Sequence, residues 1–360
     1  MQTRGGISTY VRDVRETTLW RDWNIRHVAT HRDGSAVQKA TSFAVGFALF
    51  LGELVRARPD VIHLHSSADT SFLRKSVLAW VGFIARIPVV FHIHSSDFPG
   101  YYQNAGPRMQ AFIRRTLARA DTVVALGDTL VDRLRSISPR ARVIAIPNAV
   151  RPRRPVRLAP VQGPVHVVFL GRIGDRKGTF RLLDAWHLMQ ARPEFAETEG
   201  GPRAVLTIAG DGDVAGARNA IAELGLAETV TLCEWLSPEE VAGLLDRAHV
   251  LVLPSHNEGQ PMAVLEAMAR GLCVIASDAG GLKEMLDEDA GLVVDPDDVP
   301  AIADAVARAV LDDDVRVRYG AAAHARLTAH FDIDVVAQRV DDLYRDICAD
   351  PGRAALVRRT

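Results

Sequence analysis

Short β-branched runs alternate with longer amphipathic stretches along this chain, and that alternation restricts its fold more than any other feature. In the short runs apolar residues are continuous or recur at every second position, whereas in the long stretches they recur at three- and four-residue spacings. Repeated strand–helix units predict parallel sheets with helices on both faces, an α/β doubly wound fold. The predicted strands are residues 60–65, 88–94, 121–126, 142–146, 165–170, 204–209, 230–233, 250–253 and 273–276.

A proline-rich segment between Pro147 and Pro164 interrupts the alternation once. Its prolines remove backbone donors and disfavour both helix and strand. The sequence therefore predicts an N-terminal Rossmann-like domain over residues 1–150, a linker over 151–163, and a C-terminal Rossmann-like domain over 164–360 that ends in helices. Because open α/β folds bind ligands at the carboxyl ends of their strands, we expect the site in a cleft between the two sheets.

The composition narrows the class of protein. An apolar fraction of 48%, a charged fraction of 24% and a net charge of -1 over 360 residues exclude a disordered, collagen-like or coiled-coil chain. Three cysteines without paired spacing, and with no histidine cluster near them, suggest neither disulfides nor a zinc site, so a cytoplasmic location is expected. Glu53 and Arg86 interrupt the most apolar stretches, so no membrane-spanning helix is expected. The first residues lack the apolar core of a signal peptide, so none is expected there.

The most informative stretch reads LPSHNEGQPMAVLEAMARG at residues 253–271, followed by VIASDAGG at 274–281. Pro261 suits the first position of a helix, and Gly259 lets a ligand approach the backbone closely. Amides from Gln260 onward would then form an anion site at the helix N-terminus. The expected buried face of this helix consists of Met262, Leu265 and Met268.

Two carboxylates accompany this predicted helix: Glu258 precedes it, and Glu266 lies about a turn and a half inside it. A carboxylate cannot bind the anion itself, but it accepts hydrogen bonds from hydroxyl groups. The pair therefore fits a phosphate with a polyol on each side, which describes a nucleotide diphosphate sugar. Taken alone, two glutamates at this spacing would also suit solvated surface acids.

The complete string favours the ligand site, because it resembles the signature EGxPxxxLEAMAxGxPVIxSxxGG of retaining glycosyltransferase family 4 at nearly every position. Leu272-Cys273 stands where proline is more usual before the strand. The resemblance implies a GT-B fold and a metal-independent hexosyltransferase that retains anomeric configuration. It implies no cofactor besides the donor, a UDP-, GDP- or ADP-sugar. It also implies that Glu258 contacts the donor sugar and Glu266 the ribose hydroxyls. The other implied donor-site residues here are Gly259, Gln260, Pro261, Met262 and Leu265.

A second motif, GRIGDRKG at residues 171–178, directly follows the first predicted strand of the second domain. Its spacing does not fit the dinucleotide-binding pattern G-x-G-x-x-G. Fixed cations can stabilise the negative charge that develops on a departing nucleoside diphosphate. The resemblance assigns Arg172 and Lys177 to that diphosphate, whereas Arg176 is expected to be a solvated neighbour.

A third motif, TIAGDGD at residues 207–213, ends the second predicted strand of this domain. Asp211-Gly-Asp213 has the form of a D-x-D metal site, but its position after a strand favours a structural turn that leaves room beside the nucleotide base. The resemblance places Gly210 and Asp211 in the donor site. No metal is expected.

In the first domain, Gly5 and Gly6 resemble the glycine-rich loop that follows the family's opening strand. Such a loop would bring backbone against donor phosphate or acceptor. The usual opening strand does not precede these glycines. We therefore expect either that translation begins upstream of Met1 or that the sheet lacks a strand.

The motif FHIHSSD ends another predicted strand, and alternation places its two histidines, His92 and His94, on the same face. Only His94 lies at the carboxyl end of the strand and matches the family's active-site histidine, which implies that it positions the transferred sugar. His92 is expected to be structural. His63 and His65 repeat the pattern one strand earlier and are expected in the core or cleft wall, and Asn148 is expected to be an interdomain turn residue.

Charge is divided unevenly along the chain. Residues 1–163 carry 24 Lys and Arg against 11 Asp and Glu, a formal charge of +13, and the remainder carries -14. A basic first domain would attract an anionic acceptor or an anionic membrane face. Residues 107–119 have the pattern of a basic amphipathic helix that either lies on a bilayer or covers the sheet, and residues 39–56 suit either core or a membrane-contacting edge.

We therefore expect a cytoplasmic transferase, peripheral to the inner face of the cell membrane, in polysaccharide or glycoconjugate biosynthesis. It would move a sugar from a nucleotide-diphosphate sugar to a hydroxyl of a glycan or lipid-linked acceptor, and nucleic acid is not an expected partner. Two alternatives stay open. One is a GT-B sugar-nucleotide epimerase or phosphorylase, and the other is a catalytically silent nucleotide-sugar-binding protein, which the missing strand would explain.

Overall fold

The chain forms two compact units, and the second is inserted into the first along the sequence. The computed structural model describes residues 5–156, 158–196, 201–287 and 289–349. One unit combines the described residues up to Ala149 with those from Ile333 onward, and the other extends from Val150 to Asp332. The last helix therefore belongs to the first unit, whereas the sequence placed it in the second domain.

The described part of the first unit contains a parallel sheet of four strands that lie side by side in chain order. They are β1 (Ile62–Ser66), β2 (Val89–Ile93), β3 (Thr122–Ala125) and β4 (Val143–Ala145), which confirms the four strands predicted here. Between Gly5 and β1 the chain forms helices and an extended segment, but the described residues there include no strand. Met1 and the other residues ahead of Gly5 lie outside the described residues.

Helices pack on both faces of this sheet, and its central strands β2 and β3 are buried throughout. On one face, Phe91 of β2 packs among fully buried side chains that include Phe72 and Leu117. On the other face, Val90 and Val124 share a core cluster with the first and last helices of the unit. The helices are α1 (Gly6–Val14), α2 (Thr18–Asp22), α3 (Ala36–Ala57), α4 (Asp69–Ile84), α5 (Phe98–Asn104), α6 (Pro107–Arg119), α7 (Asp128–Ile137) and α15 (Ile333–Ala349).

The sheet of the second unit is also parallel, with six strands in the order β10-β9-β8-β5-β6-β7 over its described residues. From β5 the sheet continues through β6 and β7 on one side, and from β8 it continues through β9 and β10 on the other side. The strand order therefore reverses between β5 and β8. Open α/β sheets bind ligands beside the carboxyl ends of the strands at such a switch point. The strands are β5 (Val165–Leu170), β6 (Ala204–Ala209), β7 (Val230–Cys233), β8 (Val250–Leu253), β9 (Cys273–Ser277) and β10 (Leu292–Val294).

Five of these six strands were predicted, and β10 was missed because its three residues are too few to show a period. The expected helical end is confirmed up to residue 349, with a π turn at Leu327–Phe331 before the last helix. The helices of the second unit are α8 (Thr179–Gln190), α9 (Val214–Glu223), α10 (Pro238–Leu245), α11 (Met262–Met268), α12 (Gly281–Met285), α13 (Val299–Leu311) and α14 (Asp313–Arg326).

The segment predicted as a linker is anchored to the second unit in its described residues. The amide of Arg153 donates to the carbonyl of Ala269 at 2.9 Å, and the amide of Val156 donates to the carbonyl of Arg270 at 2.9 Å. Its arginines therefore count with the second unit. With that division the formal charges become +9 for the first unit and -10 for the second, so the expected asymmetry persists but is smaller.

Helix α6, the basic amphipathic segment, uses its apolar side within the first unit. Ile113 and Leu117 are fully buried. The guanidinium groups of Arg115 and Arg119 lie 5.7 and 5.5 Å from the ring centre of Trp80. The alternative of a sheet-covering helix is therefore correct for α6.

Helix α3 differs, because most of its apolar surface is uncovered by the first unit. Its 22 residues bury only Gly46 and Phe50. Among the described helices it is the one that is long and apolar enough to cross a membrane, by length and composition only, and 11% of that stretch is buried. From the sequence, no membrane-spanning helix was expected here, because Glu53 interrupts the apolar stretch. Its exposed apolar residues include Val37, Val45, Leu49 and Val55.

Candidate active site

Two loops follow the strands at the switch point of the second unit, and both carry the predicted donor-site motifs. The loop after β5 contains Gly171 to Gly178 and includes a single 3-10 turn, Asp175–Lys177. The loop after β8 extends from Pro254 to Pro261 and leads into α11. The carboxyl ends of these parallel strands lie side by side, and the residues predicted for diphosphate and sugar come together here.

Lys177 and Glu258 form an ion pair between these two loops, with the ammonium group donating to Oε1 of the carboxylate. Their side chains are 15% and 7% exposed, so the pair is largely withdrawn from water. The sequence assigned both residues to the donor but not to each other. A buried ion pair gains its stability from both partners, so any ligand that takes one must compensate the other.

A glycine pair fixes the loop that carries Glu258. A Cβ atom on Gly280 would lie 2.1 Å from the carbonyl oxygen of Glu258, and one on Gly281 would lie 2.1 Å from that of Gly259. The amide of Gly281 also donates to the Glu258 carbonyl at 3.2 Å. The two glycines at the end of the motif are therefore required by backbone contact with the Glu258 loop, a role that the sequence did not show.

Helix α11 begins at Met262, with Pro261 as its N-cap residue. The prediction of Pro261 at the first helical position was therefore wrong by one residue, because its ψ of 128° is extended. Leu265 is fully buried in the core together with Val264 and Met268, so its side chain packs inside the second unit and does not face a ligand. Glu266 stays half-buried, and Gln260 is buried at 7% exposure.

The two arginines of the first loop are both exposed. Arg176 donates to the carbonyl of Asn257 at 3.1 Å, and its own carbonyl accepts from the amide of His256 at 3.0 Å. Arg176 therefore links the two loops and is more than a solvated neighbour. Arg172 keeps an exposed side chain at the end of β5, where its predicted contact with a diphosphate stays a prediction.

The GDG turn after β6 has a structural basis. A Cβ on Gly210 would lie 1.8 Å from the carbonyl oxygen of Gly171, so the expected space beside Gly210 is filled by the first loop. Asp213 accepts from the amide of Gly216 at 2.9 Å and caps α9. This use of Asp213 favours the structural turn over a D-x-D metal site, and the role of Asp211 in donor binding stays a prediction.

In the first unit, His94 directly follows β2, and both of its ring nitrogens have partners. Nε2 lies 2.9 Å from Nδ1 of His65, and Nδ1 lies 3.1 Å from Oδ1 of Asn148. Because the Asn148 oxygen only accepts, Nδ1 of His94 carries the proton and Nε2 accepts from His65. Asn148 is therefore a positioning residue for His94 and not merely a turn residue.

Burial keeps these imidazoles neutral. It lowers the pKa of His94 to about 4, although the hydrogen bond to Asn148 opposes the shift. His92, predicted as structural, is fully buried, and its ring stacks on that of His94 at 4.1 Å between centres. A neutral His94 is unsuited to acting as a fixed cation, and a sugar hydroxyl could bond to it only by replacing His65 or Asn148, so its predicted contact with the sugar stays a prediction.

Gly5 and Gly6 lie at the start of α1, where Gly5 is the N-cap residue with a φ of 118°. Both are exposed, and a Cβ on Gly5 would meet no atom within 4 Å. The positive φ explains the first glycine, because few other residues adopt it. Their contact with a donor phosphate stays a prediction.

Two family models together match most of the chain. Residues 151–326 match glycosyl transferases group 1, and residues 9–149 match the glycosyl transferase 4-like domain. Glycogen synthase of Mycobacterium tuberculosis (strain ATCC 25618 / H37Rv) is 30% identical over 302 residues, which cover 80% of this chain and 69% of that protein. D-inositol 3-phosphate glycosyltransferase of Acidothermus cellulolyticus is 30% identical over 330 residues, which cover 83% and 70%.

Solved structures show the same fold. Sucrose-phosphate synthase from Thermosynechococcus elongatus superposes with a TM-score of 0.74 at 22% identity, covering 96% of this chain and 94% of that one. Anabaena HepE in complex with UDP-glucose gives a TM-score of 0.70 at 18% identity, with 96% and 97% covered. The two Rossmann-like units therefore define a GT-B protein.

The chain belongs to the glycosyl transferases group 1, the retaining glycosyltransferase family 4. It is a glycosyltransferase of the hexosyltransferase type, as the motifs around Glu258 and Lys177 predicted. The relatives found are transferases and synthases, which favours this interpretation over an epimerase, a phosphorylase or a silent binding protein.

Proposed function

We propose that the loops at the switch point bind the diphosphate of a UDP-, GDP- or ADP-sugar, and that no metal or other cofactor takes part. The observation that carries this proposal is the buried pair of Lys177 and Glu258, because it holds a cation and a carboxylate side by side at the end of β5 and β8. A diphosphate suits the ammonium group, and a sugar hydroxyl suits the carboxylate. Donor binding would separate the pair by satisfying each partner.

Charge on the leaving group would be stabilised by residues already in place. As the bond from the anomeric carbon to the diphosphate breaks, negative charge develops on the departing oxygen, and Lys177 and Arg172 would stabilise it. That oxygen can then take the proton of the acceptor hydroxyl on the same face of the sugar, which retains the configuration. No protein nucleophile is required, and Glu258 would orient the sugar through its hydroxyls.

The acceptor is proposed to be an anionic or lipid-linked glycan. The first unit carries a formal charge of +9, and such a field attracts negatively charged partners. Relatives named for reactions with D-inositol 3-phosphate are consistent with a phosphorylated acceptor. A role in polysaccharide or glycoconjugate biosynthesis follows from such an acceptor.

We also propose that the protein works in the cytoplasm, peripheral to the inner face of the cell membrane, and that α3 provides the contact. This helix exposes Val45 and Leu49 one turn apart, and Lys39 and Arg56 lie towards its two ends. An apolar face with flanking basic residues suits the interface of an anionic bilayer. Helix α6, the other segment for which the sequence left a membrane contact open, has fully buried Ile113 and Leu117 of its apolar side within the first unit.

A thermal-shift panel tests the donor site. Wild type is compared with Glu266→Ala and with the matched control Glu223→Ala, an exposed glutamate at the end of α9, in the presence of UDP-, GDP- and ADP-glucose. We expect one nucleotide to raise the melting temperature of wild type and of Glu223→Ala, but much less that of Glu266→Ala. If no donor raises the melting temperature, or if Glu266→Ala responds as wild type does, the site assignment is wrong.

A further inference from the structure

Four histidines share one face of the first sheet. They lie outside the donor site proposed above, which belongs to the second unit. His63 and His65 alternate along β1, and His92 and His94 continue the same pattern along and just after β2. The parallel register pairs His65 directly with His92. Side chains at paired and alternate positions of neighbouring strands lie on one face, so this register gathers the four imidazoles.

Three of them are close enough to share a metal ion. One ring nitrogen from each of His63, His65 and His92 lies within 4.8 Å of one from each of the others. Nε2 of His63 and Nδ1 of His92 are 3.3 Å apart and share a hydrogen bond, whose proton a bound metal ion would displace. Two nitrogens bound to one tetrahedral Zn²⁺ at about 2.0 Å are separated by about 3.3 Å, so this pair already has the spacing of two ligands.

Neighbours hold the outer nitrogens of two of these rings. Nδ1 of His63 lies 2.6 Å from the hydroxyl of Tyr344 in α15, and Nδ1 of His65 lies 2.9 Å from Nε2 of His94. Metal-binding histidines use one nitrogen as ligand while the other makes such a bond, which fixes the tautomer. His92 is fully buried, and its ring interacts with the backbone of Ile146.

The environment favours neutral imidazole, the form that binds metals. Desolvation lowers the pKa of all three rings, that of His63 to about 3, so they are unprotonated at neutral pH. The other groups that act on the cluster are His94 and Lys75, and the rings of Tyr10 and Tyr344 pack against it. His63 and His65 are only half-buried, which leaves an ion a route to the cluster.

We propose that His63, His65 and His92 bind one Zn²⁺ ion, with water as the fourth ligand. The ion would join β1 to β2 and, through Tyr344, to α15, and so stabilise the first unit. It takes no part in sugar transfer, which is proposed to be metal-independent. The sequence did not suggest this site, because its ligands lie on two strands that only the sheet register brings together.

Zinc binding to the full chain tests the proposal directly. Protein freed of metal with EDTA is titrated with ZnCl2 by calorimetry, and Co²⁺ is used as a spectroscopic probe because a tetrahedral site gives visible d–d absorption. We expect one equivalent of Zn²⁺ to bind to wild type and to the matched control His187→Ala, whose histidine lies on α8 in the second unit. In His63→Ala we expect the affinity to fall by at least about 100-fold.

A second variant covers the case in which His63→Ala does not fold. Tyr344→Phe keeps all three ligands and removes only the hydroxyl beside His63, and we expect a loss of about 10-fold in Zn²⁺ affinity with an unchanged circular dichroism spectrum. Absence of stoichiometric binding to wild type would overturn the proposal. Equal binding to wild type and a folded His63→Ala would also overturn it, since it would show adventitious binding only.

Discussion

Lys177 and Glu258 neutralise each other inside the second unit, each on one of the two loops at the switch point. In the absence of a ligand, the pair keeps a cation and a carboxylate largely out of contact with water. If either residue loses its partner, the other becomes an uncompensated buried charge. Donor binding is therefore an exchange of partners, and removal of one partner has different effects on the diphosphate and on the sugar.

Glu258→Gln should separate binding from catalysis. Without the carboxylate, Lys177 is an uncompensated cation, so we expect a free nucleoside diphosphate to bind more tightly, about 10-fold. Sugar transfer should fall by about 100-fold or more, because glutamine keeps one acceptor oxygen but loses the negative charge and replaces the second acceptor with a donor. Calorimetry with UDP, GDP and ADP measures binding, and a coupled assay of nucleotide release measures transfer.

The control for this prediction is Glu223→Gln, which makes the same change at an exposed site. It should leave both quantities within a factor of two. Weaker nucleotide binding in Glu258→Gln than in the control would contradict the exchange of partners, because it would mean that the carboxylate assists the diphosphate.

Gly281→Ala should damage the site more than the fold. Its new Cβ would lie 2.1 Å from the carbonyl oxygen of Gly259, which moves the loop that carries Glu258. A shift of about 1 Å in a positioning loop costs on the order of 100-fold in turnover. The control Gly52→Ala adds a methyl group in open space within α3, where alanine stabilises a helix by up to about 1 kcal/mol. Equal turnover in the two variants would show that the glycine contact does not position Glu258.

Acid should destabilise the first unit in a defined pH range. The pKa of His63 is lowered to about 3 and that of His94 to about 4, so between pH 6.5 and about 4 the unfolded chain binds protons that the folded chain does not. The free energy of unfolding therefore falls as the pH falls, by about 1.4 kcal/mol per pH unit for each such histidine. Urea unfolding in EDTA measures this slope of the unfolding free energy against pH. His63→Gln should reduce the slope by the contribution of one histidine. A slope unchanged in His63→Gln would mean that His63 is protonated in the folded protein.

Contact with membranes should depend on α3. Val45→Glu combined with Leu49→Glu places two charges on its exposed face, where these side chains are 55% and 59% exposed. We expect co-sedimentation with anionic liposomes to be lost while the melting temperature stays within about 2 °C of wild type. Val317→Glu is the control, because Val317 is 45% exposed on α14 of the second unit. Unchanged sedimentation of the double variant would assign any membrane contact elsewhere.

The strands were largely predictable because most are short β-branched runs between turns, and the central ones, such as β2, β3, β8 and β9, are buried throughout. Strand β10 was missed because it is short, and the membership of α15 was missed because an amphipathic pattern shows that a helix is packed but not against which sheet. The same limit applies to α6 and α3. The sequence of α6 is amphipathic and that of α3 is apolar, but only α6 has its apolar side covered by the first unit.

The donor-site residues could be located from motif and spacing, but their mutual contacts could not. Lys177 and Glu258 lie 81 positions apart, and only the reversal of strand order between β5 and β8 brings them together. Asn148 and His94 are separated by 54 positions, and they meet because they follow β4 and β2, the two strands that flank β3 in one sheet. Contacts of this kind depend on strand order, which the sequence did not establish.

Removal of residues 333–360 should unfold the first unit and leave the second intact. Helix α15 supplies Ile333, Val336 and Val340 to the core of the first unit, and Asp341 accepts from the indole of Trp23 at 2.6 Å. Limited proteolysis of the shortened chain should then yield one resistant fragment that begins near residue 150. A resistant fragment that contains β1 to β4 would show that the first unit folds without α15.

The return of the chain at Ile333 also determines the order in which the protein can be completed on the ribosome. Domains fold as units during synthesis, usually beginning with the N-terminal one. Here the second unit is continuous from Val150 to Asp332, whereas the first waits for a helix that is made last. The half encoded first is thus finished last, and until then the part of its sheet that α15 covers stays exposed to water.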